Sequence, residues 1–81
     1  GNIHTSGEDY LEAILVLWNK QNGEVRSIDV ARELNVTKPS VSNAMKILRE
    51  GKFITMDENG FITLTDDGRY VAEKIYENTL Y

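Results

Sequence analysis

Cysteine is absent from this chain of 81 residues, and histidine occurs once. The first absence excludes disulfides, thiolate metal sites and cysteine nucleophiles. The second excludes His-based triads and multi-His metal centres. The one histidine, His4, lies in the polar start Gly1-Asn2-Ile3-His4-Thr5, and residues 1–5 are expected to form a flexible, inert tail. No apolar run approaches the roughly 20 residues of a membrane span, and no signal-peptide pattern is present. The expectation is a soluble, cytoplasmic protein without a membrane partner. No nucleophile–base pair, phosphate-cradling glycine loop or carboxylate dyad stands out, and the chain is too short for a cofactor-binding α/β enzyme with its own substrate pocket. Catalysis is therefore not expected. The chain opens on Gly1 rather than Met, as expected of a domain excised from a longer protein.

What remains suits one small folded domain over residues 1–81, with 41% hydrophobic and 27% charged residues. The net charge of −4 argues at first against nucleic acid, but its distribution says more. Segments 1–22, 23–36, 37–52, 53–67 and 68–81 carry −2, −1, +3, −4 and 0. The one basic block holds Lys38, Lys46, Arg49 and Lys52 against Glu50, so an anionic partner should meet the chain there.

Periodicity predicts a helix from about Glu8 to Gln21. Thr5 with Glu8 reads as a capping box and Ser6 as a competing cap. Leu11, Ile14, Leu15 and Trp18 make one apolar stripe, and Asn22-Gly23 ends the helix. Glu24-Val25-Arg26 is a connector or minor strand. Ser27 reads as the N-cap of a short helix holding Ile28, Ala31 and Leu34, which stops at Asn35, a residue tolerant of left-handed backbone. Thr37 caps the next helix, with Pro39 in its first turn. Its stripe is Val41, Ala44, Met45 and Leu48, and Gly51 is its expected C′ residue. The Asn35-Val36-Thr37 link has helix-turn-helix spacing. Phe53–Met56 and Phe61–Leu64, joined by Asp57-Glu58-Asn59-Gly60, read as a β-hairpin. Thr65 then caps a last helix that reaches Tyr76 or beyond, with Val71, Ala72 and Ile75 inward. The fold expected is mostly α with a β-hairpin wing: a winged helix-turn-helix of three core helices, a two-stranded wing and a C-terminal helix.

Away from its apolar stripe the third helix carries Pro39, Asn43 and Lys46, flanked by Ser40 and Ser42. Asn can read an adenine edge, hydroxyls and Lys bind phosphates, and a Pro ring can meet a thymine methyl. The same residues also suit an ordinary solvated face. The three-residue turn before them and the hairpin after them tip the reading toward duplex DNA. The acidic hairpin tip opposes it. Either that tip stands off the DNA, or only backbone N–H groups and Asn59 make contact. Asp9 and Glu12, three apart on the first helix, could share a divalent cation or could be a solvated acidic helix start. Trp18 is expected in the core. Tyr70, Tyr76 and Tyr81 form no single stripe and are expected in part to cover an interface.

Glu8-Asp9-Tyr10-Leu11-Glu12-Ala13-Ile14 resembles the opening of helix 1 in the diphtheria toxin repressor/manganese transport regulator family. Ile28–Val36 followed by Pro39-Ser40-Val41-Ser42 is similar to that family's helix-turn-helix, and Leu64-Thr65-Asp66-Asp67-Gly68 to its entry into the helix after the wing. The match covers nearly the whole chain, and its helix 1 motif is the discriminating part. The resemblance implies a cytoplasmic, homodimeric, metal-activated repressor. It implies DNA contacts at Thr37, Pro39, Ser40, Ser42 and Asn43, with phosphate contacts near Ser27. It also implies metal ligands at Asp9 and Glu12. The family's His ligand on the last helix would fall at or near Thr79, where this chain has none, and its remaining ligands and dimerisation helices would lie beyond Tyr81. Two alternatives follow: the site is completed in a longer protein, or it has been lost and the protein answers to another signal.

The reading is a sequence-specific DNA-binding transcriptional regulator, with Ser27, Thr37, Lys38, Pro39, Ser40, Ser42, Asn43, Lys46 and Asn59 at double-stranded DNA. A homodimer and a divalent Mn or Fe ion are expected for the full-length protein, with no tight metal binding by this chain alone. The rivals are a metal-independent winged-helix regulator of the multiple-antibiotic-resistance type and a winged helix used as a protein-interaction module.

Overall fold

A computed structural model describes residues 6–79, without the side chain of Thr79. The expectations for His4, Thr5, the 1–5 tail and Tyr81 lie outside these residues. The elements in chain order are α1 (Gly7–Lys20), α2 (Ser27–Leu34), α3 (Lys38–Glu50), β1 (Ile54–Met56), β2 (Ile62–Leu64) and α4 (Asp66–Thr79). This is the winged helix-turn-helix order: helices, a two-stranded wing, and a closing helix.

Helix α1 starts one residue earlier than expected because Ser6 is its cap. The Ser6 hydroxyl accepts from the Asp9 amide at 3.3 Å, and the Asp9 carboxylate accepts from the Ser6 amide at 3.1 Å. Two backbone donors at the helix start are thereby satisfied. The buried surface of α1 is wider than the expected stripe. Tyr10, Leu11, Ala13, Ile14, Leu15 and Leu17 are all buried, while Trp18 is only half-buried and packs on the edge of the core. A helix clasped on several sides must bury more than one stripe, and α1 touches α2, α3, α4 and β2. The chain leaves α1 through left-handed Asn22 and Gly23, whose φ angles are 54° and 84°.

The cap of α2 is Arg26, not Ser27. Asp29, in the first turn, accepts from the Arg26 amide at 2.9 Å, so the capping carboxylate comes from inside the helix. Val30 and Ala31 are buried, but Ile28 is 41% exposed and not part of the inner face. Asn35 adopts the expected left-handed conformation, φ 54°, and the Val36 amide reaches back to the Ala31 carbonyl at 3.0 Å. Helix α3 opens as expected: the Thr37 hydroxyl accepts from the Ser40 amide at 3.3 Å and Pro39 stands in the first turn. Val41, Met45 and Leu48 are buried and Ala44 half-buried. At the far end, however, Gly51 stays right-handed (φ −78°) and Lys52 takes the left-handed position (φ 64°).

The strands pair antiparallel with Ile54 opposite Leu64, Thr55 opposite Thr63 and Met56 opposite Ile62. Each is one residue shorter than expected, because Phe53 and Phe61 stand outside the ladder. The wing also leans on the connector after α1: the Ile62 amide donates to the Val25 carbonyl at 2.8 Å, and Val25 is completely buried. The wing's other end is fastened to α4. The Thr65 hydroxyl accepts from the Gly68 amide at 3.1 Å and donates to the Lys52 carbonyl at 2.7 Å, and its amide donates to the Phe53 carbonyl at 3.0 Å. Buried Ala72 and half-buried Val71 pack on the core, Ile75 is half-buried, and Tyr70 and Tyr76 are left 65% and 43% exposed.

Candidate nucleic-acid interface

The helix-turn-helix positions α3 through two sets of constraints. Its stripe, Val41, Met45 and Leu48, is sunk in the core, which fixes its rotation. The αL turn at Asn35 and the Thr37 cap fix its start. What remains outside is Lys38, Pro39, Ser40, Ser42, Asn43 and Lys46, every one exposed, with exposed Thr37 at the entry. These are the residues expected at DNA, and the fold brings them onto one projecting surface. Thr37 and Ser40 already engage each other, the Thr37 hydroxyl donating to the Ser40 hydroxyl at 2.9 Å.

The basic side chains of this surface outnumber its one carboxylate, Glu50, and are not in ion pairs with any described residue. Among the described residues the ion pairs are Arg32 with Asp29 and Arg69 with Glu73, so Lys38, Lys46, Arg49 and Lys52 carry none. A shallow depression of about 410 Å³ lies between Lys46, Arg49 and Glu50. Ile47, next in sequence to Lys46, is an apolar residue 56% exposed away from the buried stripe.

Ser27, the first residue of α2, is half-buried. Asn59 is exposed at the wing tip, but three backbone donors of this tip are spent. Asp57 accepts from the amides of Asn59 and Phe61, both at 2.9 Å, and its carbonyl accepts from Gly60 at 3.0 Å. The expected alternative of backbone N–H contacts at the tip is therefore closed at these three amides. The Asn59 side chain is left to make contact.

Asp9 and Glu12 are both half-buried on α1. One Asp9 oxygen is committed to the Ser6 cap, accepting from its amide and, at 3.3 Å, from its hydroxyl. Among the described residues no group of three His, Cys, Asp or Glu side chains is placed to hold a metal ion, and no helix is long and apolar enough to cross a membrane. The described residues thus bring at most two such side chains together at any one point.

Residues 2–62 match the family described as iron dependent repressor, N-terminal DNA binding domain. An uncharacterized HTH-type transcriptional regulator of Methanocaldococcus jannaschii is 31% identical over 70 residues, which cover 86% of this chain and 56% of that protein. The chain therefore spans little more than half the length of this relative. Among solved structures, ScaR with bound Zn²⁺ superposes with a TM-score of 0.71 at 25% identity, covering 88% of this chain and 32% of that one. The MepR–DNA complex of S. aureus gives a TM-score of 0.66 at 26% identity, covering 96% of this chain and 60% of that one.

Proposed function

The chain belongs to the iron-dependent repressor family through its N-terminal DNA-binding domain, and from that premise we propose that it binds duplex DNA through α3 as part of a transcriptional repressor. The observation that carries this reading is the run of exposed polar side chains and basic side chains without ion pairs on a helix whose opposite side is locked in the core. Lying in the major groove, α3 presents Pro39, Ser42 and Asn43 to base edges, with Asn43 suited to adenine. Lys38, Thr37, Ser40 and Lys46 take backbone phosphates and set the register, as does Ser27 at the start of α2. Asn59 reaches the neighbouring backbone from the wing. Two copies in a homodimer would place two such helices about one DNA turn apart. Repression follows from occupying promoter DNA, without catalysis, in the cytoplasm.

A divalent ion, Mn²⁺ or Fe²⁺, belongs to this proposal for the whole protein. Asp9 and Glu12 would hold it, and it would supply charge that ties α1 to ligands from elsewhere in the assembly. An ion with about six ligands cannot be satisfied by two carboxylates, one of which already caps a helix. This chain alone therefore binds metal weakly.

Operator selection from random duplexes followed by gel-shift titration tests the DNA reading. Asn43→Ala should weaken operator binding by about 1–3 kcal/mol and relax preference at one base pair. Lys46→Ala should weaken binding to all sequences and lower the salt slope by about one. An Asn43→Ala variant with unchanged affinity and base preference would remove α3 from the role of reader.

A further inference from the structure

The wing poses an electrostatic problem. From Ile54 to Leu64 it contains no Lys, Arg or His, while Asp57 and Glu58 are both exposed. A hairpin beside a phosphate backbone needs positive charge, and this one has none of its own. The structure supplies a cation from another element. Arg26, the residue that caps α2, lays its guanidinium over the Phe61 ring, with its central carbon 4.4 Å from the ring centroid. Phe61 sits where the wing loop enters β2, and its amide is tied to Asp57 at 2.9 Å. On either side of the pair, the Val25 carbonyl and the Ile62 amide are joined at 2.8 Å. The stack is therefore braced by backbone hydrogen bonds at both partners.

The acidic residues around Arg26 do not neutralise it. Asp29 is the nearest in sequence, but its carboxylate accepts from the Arg26 amide and pairs with Arg32. Among the described residues no carboxylate forms an ion pair with the Arg26 guanidinium. A guanidinium stacked by one face on an aromatic ring keeps its in-plane N–H edge for bidentate recognition of a phosphate. The stack also removes much of the rotamer freedom that a long side chain otherwise loses on binding. Arg26 is exposed and adjoins Ser27 at the start of the first helix of the helix-turn-helix, an element that meets the DNA backbone in this type of docking.

We propose that Arg26, held over the Phe61 ring, is the cationic backbone-phosphate contact that the acidic wing lacks. This rests on the DNA reading given above. It makes Arg26 and Phe61 one unit: Phe61 orients, Arg26 binds. The wing then approaches DNA chiefly at its root, through a residue of α2, and at its tip Asn59 makes contact while the carboxylates of Asp57 and Glu58 stay clear of the phosphates.

The test measures fluorescence anisotropy of a labelled mixed-sequence duplex of about two helical turns against this chain over a range of salt concentrations. Arg26→Ala should weaken binding about tenfold and lower the salt slope by about one. Arg26→Lys keeps the charge but loses the forked guanidinium over the ring, and should keep most of the slope while still binding more weakly than wild type. Arg69→Ala, which removes a cation paired with Glu73 on α4, should leave the slope unchanged. A slope unaltered by Arg26→Ala, or lowered equally by Arg69→Ala, overturns the assignment of Arg26 while leaving the DNA reading intact. A wild-type chain without salt-dependent DNA binding overturns both.

Discussion

Replacing Gly68 by alanine should destabilise the fold, although the same change in an ordinary helix stabilises it. Gly68 lies buried in the first turn of α4. A Cβ there would fall well inside contact with the Phe53 carbonyl oxygen, 2.9 Å from its carbonyl carbon and 3.3 Å from a Leu64 methyl. The first two obstacles are backbone and cannot rotate away. Relief requires the start of α4 to part from Phe53, and that separation strains the hydrogen bond from the Thr65 amide to the Phe53 carbonyl (3.0 Å) and the adjacent one from Thr65 to the Lys52 carbonyl (2.7 Å). Leaving such groups unsatisfied costs about 1–3 kcal/mol each, while alanine's helix propensity returns at most about 1 kcal/mol. The expected net loss is about 2–4 kcal/mol. An 81-residue domain has only about 4–12 kcal/mol in all, and at its size such a loss lowers Tm by about 8–30 °C. Urea and thermal denaturation followed by circular dichroism measure it. A Gly68→Ala protein as stable as wild type, or more stable, would refute the close approach of α4 to Phe53.

Truncation of the core and the acidic pair on α1 give further tests. Leu48→Ala removes a buried anchor of α3 and should cost about 2–5 kcal/mol, whereas half-buried Trp18 should cost less when cut to alanine; equal losses in denaturant titrations would contradict the burial described. Asp9→Ala should lower stability by about 1 kcal/mol without any metal present, because it breaks the Ser6 capping box; a metal-free melt identical to wild type would contradict that role. Calorimetry with Mn²⁺ or Fe²⁺ should show no appreciable thermal shift for this chain but a clear one for the full-length protein, abolished by Asp9→Ala with Glu12→Ala. A full-length protein indifferent to both ions would remove the metal from the account.

Most of the fold was legible in the sequence where one signal reinforced another. Thr37, Pro39 and the Val41–Leu48 stripe all specify one helix in one rotation, and the exposed face proposed to meet DNA follows directly. Where signals competed, local reasoning misplaced residues by one. Ser6 caps α1 because Asp9 closes the box behind it, and the cap of α2 is Arg26, whose amide donates to the Asp29 carboxylate, one residue before the expected Ser27. Contacts between residues distant in sequence were not legible at all. Nothing local marks Gly68 as the point where α4 meets Phe53, Val25 as the wing's hydrogen-bond partner, or Arg26 and Phe61 as a stacked pair. Ile28 misled for the converse reason: its spacing fits the inner face of α2, but no element packs over it.

The central claim is that α3 is the surface that meets DNA. Amide chemical-shift mapping of the labelled chain during titration with its selected duplex tests this directly. The account predicts that the largest changes fall on Lys38, Ser40, Ser42, Asn43 and Lys46, with smaller ones at Ser27, and that they reverse as salt is raised. Changes confined to α4 around Tyr70 and Tyr76, with α3 silent, would contradict it.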